Sequence, residues 1–136
     1  MTSVPEYFDS SVAVSAIFPG SANYADAANR LKSASDPYII NHGVAEVFRT
    51  LTGRLRLPPK AAAQLVEGVL LAKFKEAALT RQDYADVVKS MADKNLSGPI
   101  VYDALHAAGA RKVGAATINT YNPDHFSKVA PDLKVA

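Results

Sequence analysis

The run Pro99–Arg111, PIVYDALHAAGAR, constrains the chain more than any other stretch. Drawn as a helix it is apolar almost all the way round, through Ile100, Val101, Ala104, Leu105, Ala107, Ala108 and Ala110, and such a helix belongs in an interior. At about 100° per residue, Asp103 falls beside Ile100, Ala107 and Ala110, among small side chains. An ionised carboxylate in that position needs a cation, a donor or a shifted pKa. With Pro99 as the first helical residue, Asp103 lies beyond the first turn, so capping does not account for it. It is either a buried acid bonded to nearby backbone or an acid held for a metal or a reaction.

The elements around that helix alternate. Glu6–Asp9 reads as a short strand running into a helix that Ser10 or Ser11 can cap, and Pro19-Gly20 ends that helix. A second helix spans 22–33, and Asp36-Pro37 leads into a buried strand at Tyr38–Ile40. The helix from Gly43 to Thr52 carries Val44, Val47, Phe48 and Leu51 at helical spacing. Its Glu46 faces away from that stripe and reads as an ordinary solvated glutamate. Pro59 opens an amphipathic helix with Ala62, Leu65, Val66, Val69, Leu70 and Phe74 on one face. A short strand at 75–79 precedes a helix capped by Thr80, with Tyr84, Val87, Val88 and Met91 as its core stripe. Val113–Asn119 reads as a strand, Thr120–His125 as a polar turn and Leu133–Val135 as an edge strand. Strands that alternate with helices imply a parallel sheet covered on both faces. In such a sheet Asp9 and the 119–124 turn both fall at strand C-termini, where ligands collect.

A chain of 136 residues with 49% hydrophobic content is the size of one domain, 1–136, with a real core. The formal charge of +2 is too mild to signal nucleic-acid binding by itself, and the basic turn Arg54, Arg56 and Lys60 reads as surface. Without cysteine there is no disulfide, thiolate metal site or cysteine nucleophile. The first residues lack the charged and apolar regions of a signal peptide and no apolar run reaches membrane length, so the expected setting is the cytoplasm. His42, His106 and His125 lack a compact ligand motif and read as satisfied or exposed histidines. A Gly-rich phosphate loop is missing, and Asp9-Ser10-Ser11 lacks the second aspartate of a DxD phosphohydrolase. Asp9, Asp103 and Glu46 as hard oxygen ligands favour Mg²⁺ or Mn²⁺ over zinc. Residue spacing reaches an acid cluster that takes a hard cation, and leaves the reaction open.

The strings FDSSVAV, AEVF with Glu46, GPIVYDALHAAGAR with Asp103 and TYNPDHF occur in that order over nearly the whole chain. Together they resemble PIN-domain proteins, and more narrowly the toxin half of VapBC toxin–antitoxin pairs. The resemblance implies a three-layer α/β/α domain around a mostly parallel sheet of four to five short strands. It implies a Mg²⁺- or Mn²⁺-dependent endoribonuclease, a homodimer, restrained by a cognate VapB-type antitoxin. By position it gives Asp9, Glu46 and Asp103 as metal-binding and catalytic acids, which reverses the reading of Glu46 as plain surface. Many family members carry a fourth acid where this chain has Asn122, and Asp124 is the nearest substitute. Thr120 and Asn122 are then the groups that orient water or phosphate by hydrogen bonding. The rival reading is a catalytically weak PIN-like module that engages RNA or a protein without efficient cleavage.

Overall fold

The computed structural model describes residues 4–136. Five strands form one sheet: β1 (Pro5–Phe8), β2 (Asp36–Ile40), β3 (Lys75–Ala77), β4 (Thr117–Asn119) and β5 (Lys134–Val135). Their spatial order is β3-β2-β1-β4-β5 and every pairing is parallel. Tyr7 stands opposite Tyr38 on one side and Ile118 on the other. Three strands, β3, β4 and β5, are shorter than the expected 75–79, Val113–Asn119 and Leu133–Val135, β4 by the most. Val113 ends the preceding helix, and Gly114, at φ +73°, turns the chain before β4 can start.

Alternation along the strands builds two cores. Phe8 and Ile39 face one side, which is covered by α1 (Ser10–Ile17), α2 (Tyr24–Ser33), α3 (Asn41–Thr52) and α4 (Pro59–Leu65). A π-helical turn, Val66–Leu70, carries α4 into the short α5 (Leu71–Lys73). Tyr7 and Ile40 face the other side, under α6 (Arg81–Asp93), α7 (Ile100–Lys112) and the short α8 (Pro123–Phe126). The result is a three-layer α/β/α domain, and no helix among the described residues is long and apolar enough to cross a membrane.

Three local readings are corrected. Phe48 and Val88, assigned to buried stripes by periodicity, are exposed. The faces of α3 and α6 that reach the core are narrow, filled by Val47 and Leu51 and by Val87 and Met91, and a residue next to them is turned about 100° away. Asp103 lies in the first turn of α7, because the helix starts at Ile100 rather than Pro99. Its charge therefore sits at the end of the helix that favours an anion. The capping box of Thr80 and Asp83 forms as its spacing predicts, with bonds of 2.8 and 3.2 Å.

Helix α7 lies tight on the sheet at Gly109, where a Cβ would collide with Ile40 Cγ2 and stand 3.2 Å from Tyr7 Cε2. Both neighbours are fully buried and cannot retreat. Gly109→Ala is therefore expected to destabilise the domain by about 1–3 kcal/mol despite the better helix propensity of alanine. Urea unfolding of the two proteins measures it, and an unchanged midpoint would mean that α7 rides further from the sheet.

Candidate active site

The strand order reverses at β1, so its C-terminal end and that of β4 border the crevice at which open parallel sheets bind ligands. Asp9 follows β1 directly and Thr120 follows β4 directly. Asp9 is only 4% exposed, and its carboxylate is fully engaged. Oδ1 accepts from Ser11 Oγ at 2.6 Å and from the Val12 amide at 3.2 Å, while Oδ2 accepts from Thr120 Oγ1 at 2.6 Å. Asp9 itself is thus the cap of α1, in place of Ser10 or Ser11. The two serines are released to other tasks. Ser11 accepts from the Tyr121 amide at 3.1 Å, and Ser10 donates to Glu46 Oε1 at 3.0 Å.

Glu46 is half-buried, and His106 Nε2 lies 2.8 Å from the same Oε1. Burial pushes the Glu46 carboxyl up, but the hydrogen bonds from His106 and Ser10, with the His42 imidazole nearby, outweigh it and hold it below its usual value. The helical wheel of α3 alone shows none of this, because the partners come from α1 and α7.

Asp103 is also half-buried and has no hydrogen-bond donor among the described residues; His125 Nδ1 stands 3.6 Å from Oδ2. Burial raises its carboxyl above the usual value, His125 and His106 oppose that, and the charges of Asp9 and Glu46 raise it further. Asp103 thus lies within reach of the charges of Asp9 and Glu46.

Residues 7–131 match the PIN domain family. The chain belongs to that family. Among solved structures it is similar to the toxin VapC20 of Mycobacterium tuberculosis, which cleaves the sarcin–ricin loop, at TM-score 0.75 and 17% identity over 95% of this chain and 98% of that one. It is similar to VapBC2 of Rickettsia felis, solved on a DNA fragment from its promoter, at TM-score 0.69 and 17% identity over 98% of both chains. VapBC-1 from nontypeable Haemophilus influenzae gives TM-score 0.68 and 14% identity over 98% and 97%. At such identities the likeness is one of fold. No curated protein matches the chain.

PIN-family membership implies a divalent metal, and the donors can be tested for it. They are carboxylate oxygens, the chemistry that suits Mg²⁺ or Mn²⁺. Glu46 Oε2 and both Asp103 oxygens carry no hydrogen bond among the described residues, so they are available as ligands. As they stand, no three His, Cys, Asp or Glu side chains among the described residues are arranged to hold an ion. The donor set fits in chemistry, and closing it requires the acids to draw together. Asn122 is exposed, and its backbone N–H donates to Thr120 Oγ1 at 2.9 Å. Asp124 is exposed in the first turn of α8.

Residue spacing alone missed Ser10, Ser11, Tyr7 and His106. The one signal for His106 is that it follows Asp103 by three residues on a helix, and so shares its side.

The two aspartates should respond to mutation in opposite ways. In chelator-treated protein, Asp103→Asn removes a half-buried charge that has no hydrogen-bond donor among the described residues, and is expected to raise stability by up to about 1 kcal/mol at neutral pH. Because the folded-state carboxyl is raised, that gain is full above its folded value and disappears as pH falls through it. Asp9→Ala instead removes a cap and strands the Thr120 hydroxyl, and is expected to cost about 2–4 kcal/mol. Urea melts of both variants between neutral and acid pH check the signs.

Proposed function

We propose that this PIN domain is a metal-dependent endoribonuclease of the cytoplasm, the toxin of a VapBC-type pair. The reading is supported by Asp103 lying within reach of the charges of Asp9 and Glu46, with Asp9 at the strand-order reversal of a PIN domain. These three would hold Mg²⁺ or Mn²⁺. Bound there, the ion supplies Lewis-acid polarisation of a phosphodiester and an acidified water. The chain's own groups prepare the rest. Thr120 and Ser11 fix the Asp9 carboxylate, and Asn122 buttresses Thr120 through its amide. Tyr102, 45% exposed and next to Asp103, lies parallel to His42 with ring centroids 5.2 Å apart. A fixed aromatic face beside the acids suits an unpaired base, which supports single-stranded RNA as the substrate class. The solved structures of similar fold support the pairing with an antitoxin, since two of those named above are VapBC pairs.

A groove of about 830 Å³ between α1, α2 and the α4–π segment, lined by Ile17, Leu31, Leu65 and Val69, suits the amphipathic helix of a VapB-type antitoxin. Val44, Leu70, Leu71 and Phe74 line a second hollow of about 200 Å³. An arginine on that partner would fork onto the acids and shut the cleft. A homodimer completes the reading. The second reading, a weak PIN-like binding module, is favoured by the absence of a closed ligand set among the described residues.

Incubation with a mixed RNA pool separates the two. Cleavage that needs Mn²⁺ or Mg²⁺, stops with chelator and falls about 100-fold or more in Asp103→Asn is the expected result. RNA retention without cleavage would install the second reading. For the partner, Val69→Asp should weaken a co-expressed antitoxin about 10- to 100-fold in titration calorimetry, and unchanged affinity would move the docking surface elsewhere.

A further inference from the structure

His106 is the buried titratable group that the reading above leaves without a task, at 3% exposure. Its surroundings determine where its proton sits. Tyr7 Oη accepts from the Ile40 amide at 3.2 Å. Among the described residues the tyrosine's own proton then has one acceptor, His106 Nδ1 at 2.6 Å. Burial above all keeps that phenol far above its ordinary value, so the donor stays protonated. An accepting Nδ1 leaves the proton of a neutral ring on Nε2, which faces Glu46 Oε1 at 2.8 Å. An imidazolium would aim a second N–H at Tyr7 Oη and leave the phenol proton without an acceptor. The ring has little freedom to swing out. It packs edge-on against Tyr7 with centroids 5.7 Å apart and is buried on all sides.

We propose that the Ile40 amide, Tyr7 and His106 form a positioning relay for Glu46. The relay fixes neutral His106 as the Nε2–H tautomer, and His106 then pins Glu46 Oε1. Ser10 Oγ adds a second donor to the same oxygen, so Oε2 is the one left to the cleft. A glutamate has three side-chain torsions, and an unpinned one would have to be ordered whenever an ion bound. Donors held behind a ligand carboxylate are the usual means of fixing it. The relay rests on the proposed reading of Glu46 as a cleft acid. It makes His106 a positioning residue, with no contact to a reacting atom.

The test has one readout that needs no metal and one that needs no activity. In ¹⁵N-histidine-labelled, chelator-treated protein at neutral pH, His106 Nδ1 should resonate as a bare imine nitrogen and Nε2 as a protonated one. Glu46→Ala should shift the Nε2–H signal. A proton on Nδ1, or on both nitrogens, overturns the relay. Mn²⁺ titration calorimetry then compares variants whose folding is checked by circular dichroism. His106→Gln keeps one acceptor and one donor on a planar amide and should hold the affinity within about 3-fold, whereas His106→Ala and Tyr7→Phe should each lose about 10-fold. A folded His106→Ala with wild-type affinity, or a folded His106→Gln as weak as it, overturns the relay. If the wild-type protein takes no Mn²⁺, the metal-nuclease reading falls, and the tautomer and its response to Glu46→Ala alone decide the relay.

Discussion

The buried carboxylate of Asp9 ties together three pieces of chain that nothing else joins so closely. It accepts from the first turn of α1 through Ser11 and Val12, and from the end of β4 through Thr120. A charge at 4% exposure is tolerable only when its oxygens are satisfied, and here every donor is also a structural joint. The positive end of the α1 dipole adds to the same balance. The Asp9 amide closes the loop by donating to Asn119 O at 3.1 Å, and Asn119 in turn donates to Tyr7 O at 3.1 Å. The crevice between β1 and β4 is therefore held in shape by the acid that sits in it.

The other two acids inherit their places from the packing of α7 and α3. Gly109 lets α7 press on Ile40 and Tyr7. That approach brings His106 to the Tyr7 hydroxyl and Asp103 to the cleft on the same side of the helix. Tyr7 belongs to the core beneath α7, yet its hydroxyl bonds to the residue that contacts Glu46. Core and site are continuous here, so a packing change at Gly109 moves a carboxylate partner as well as a helix.

What could be read from residues alone follows from range. The alternation of strands and helices, the Thr80 capping box and the edge strand at the C-terminus depend on local chemistry, and local chemistry is visible in order along the chain. Strand order is not local. Yet a βα alternation with Asp9 at a strand end already restricted where ligands would collect. Glu46 shows the limit: its wheel position is that of a solvated residue, and its partial burial comes from Ser10, 36 positions earlier, and His106, 60 positions later. Ser10 and Ser11 failed differently. Three successive residues could cap α1, and Asp9 takes the position because Thr120, distant in sequence, also needs its oxygen.

The three acids are unequal, and the inequality has a physical direction. Asp9 is saturated with donors and Glu46 is held on one oxygen, whereas Asp103 has a histidine at 3.6 Å and no hydrogen bond among the described residues. Repulsion in the cleft therefore falls mostly on Asp103, whose carboxyl is raised by burial and by its two neighbours, while that of Glu46 is lowered. A cation entering the cleft gains most where the charge is least compensated. On the proposed reading Asp103 would supply the attraction, and Asp9 and Glu46, already held by the fold, would supply the geometry. On the proposed reading, an ion held by these acids would relieve the repulsion at Asp103, so the same charge that costs stability in the fold would be the one the ion needs.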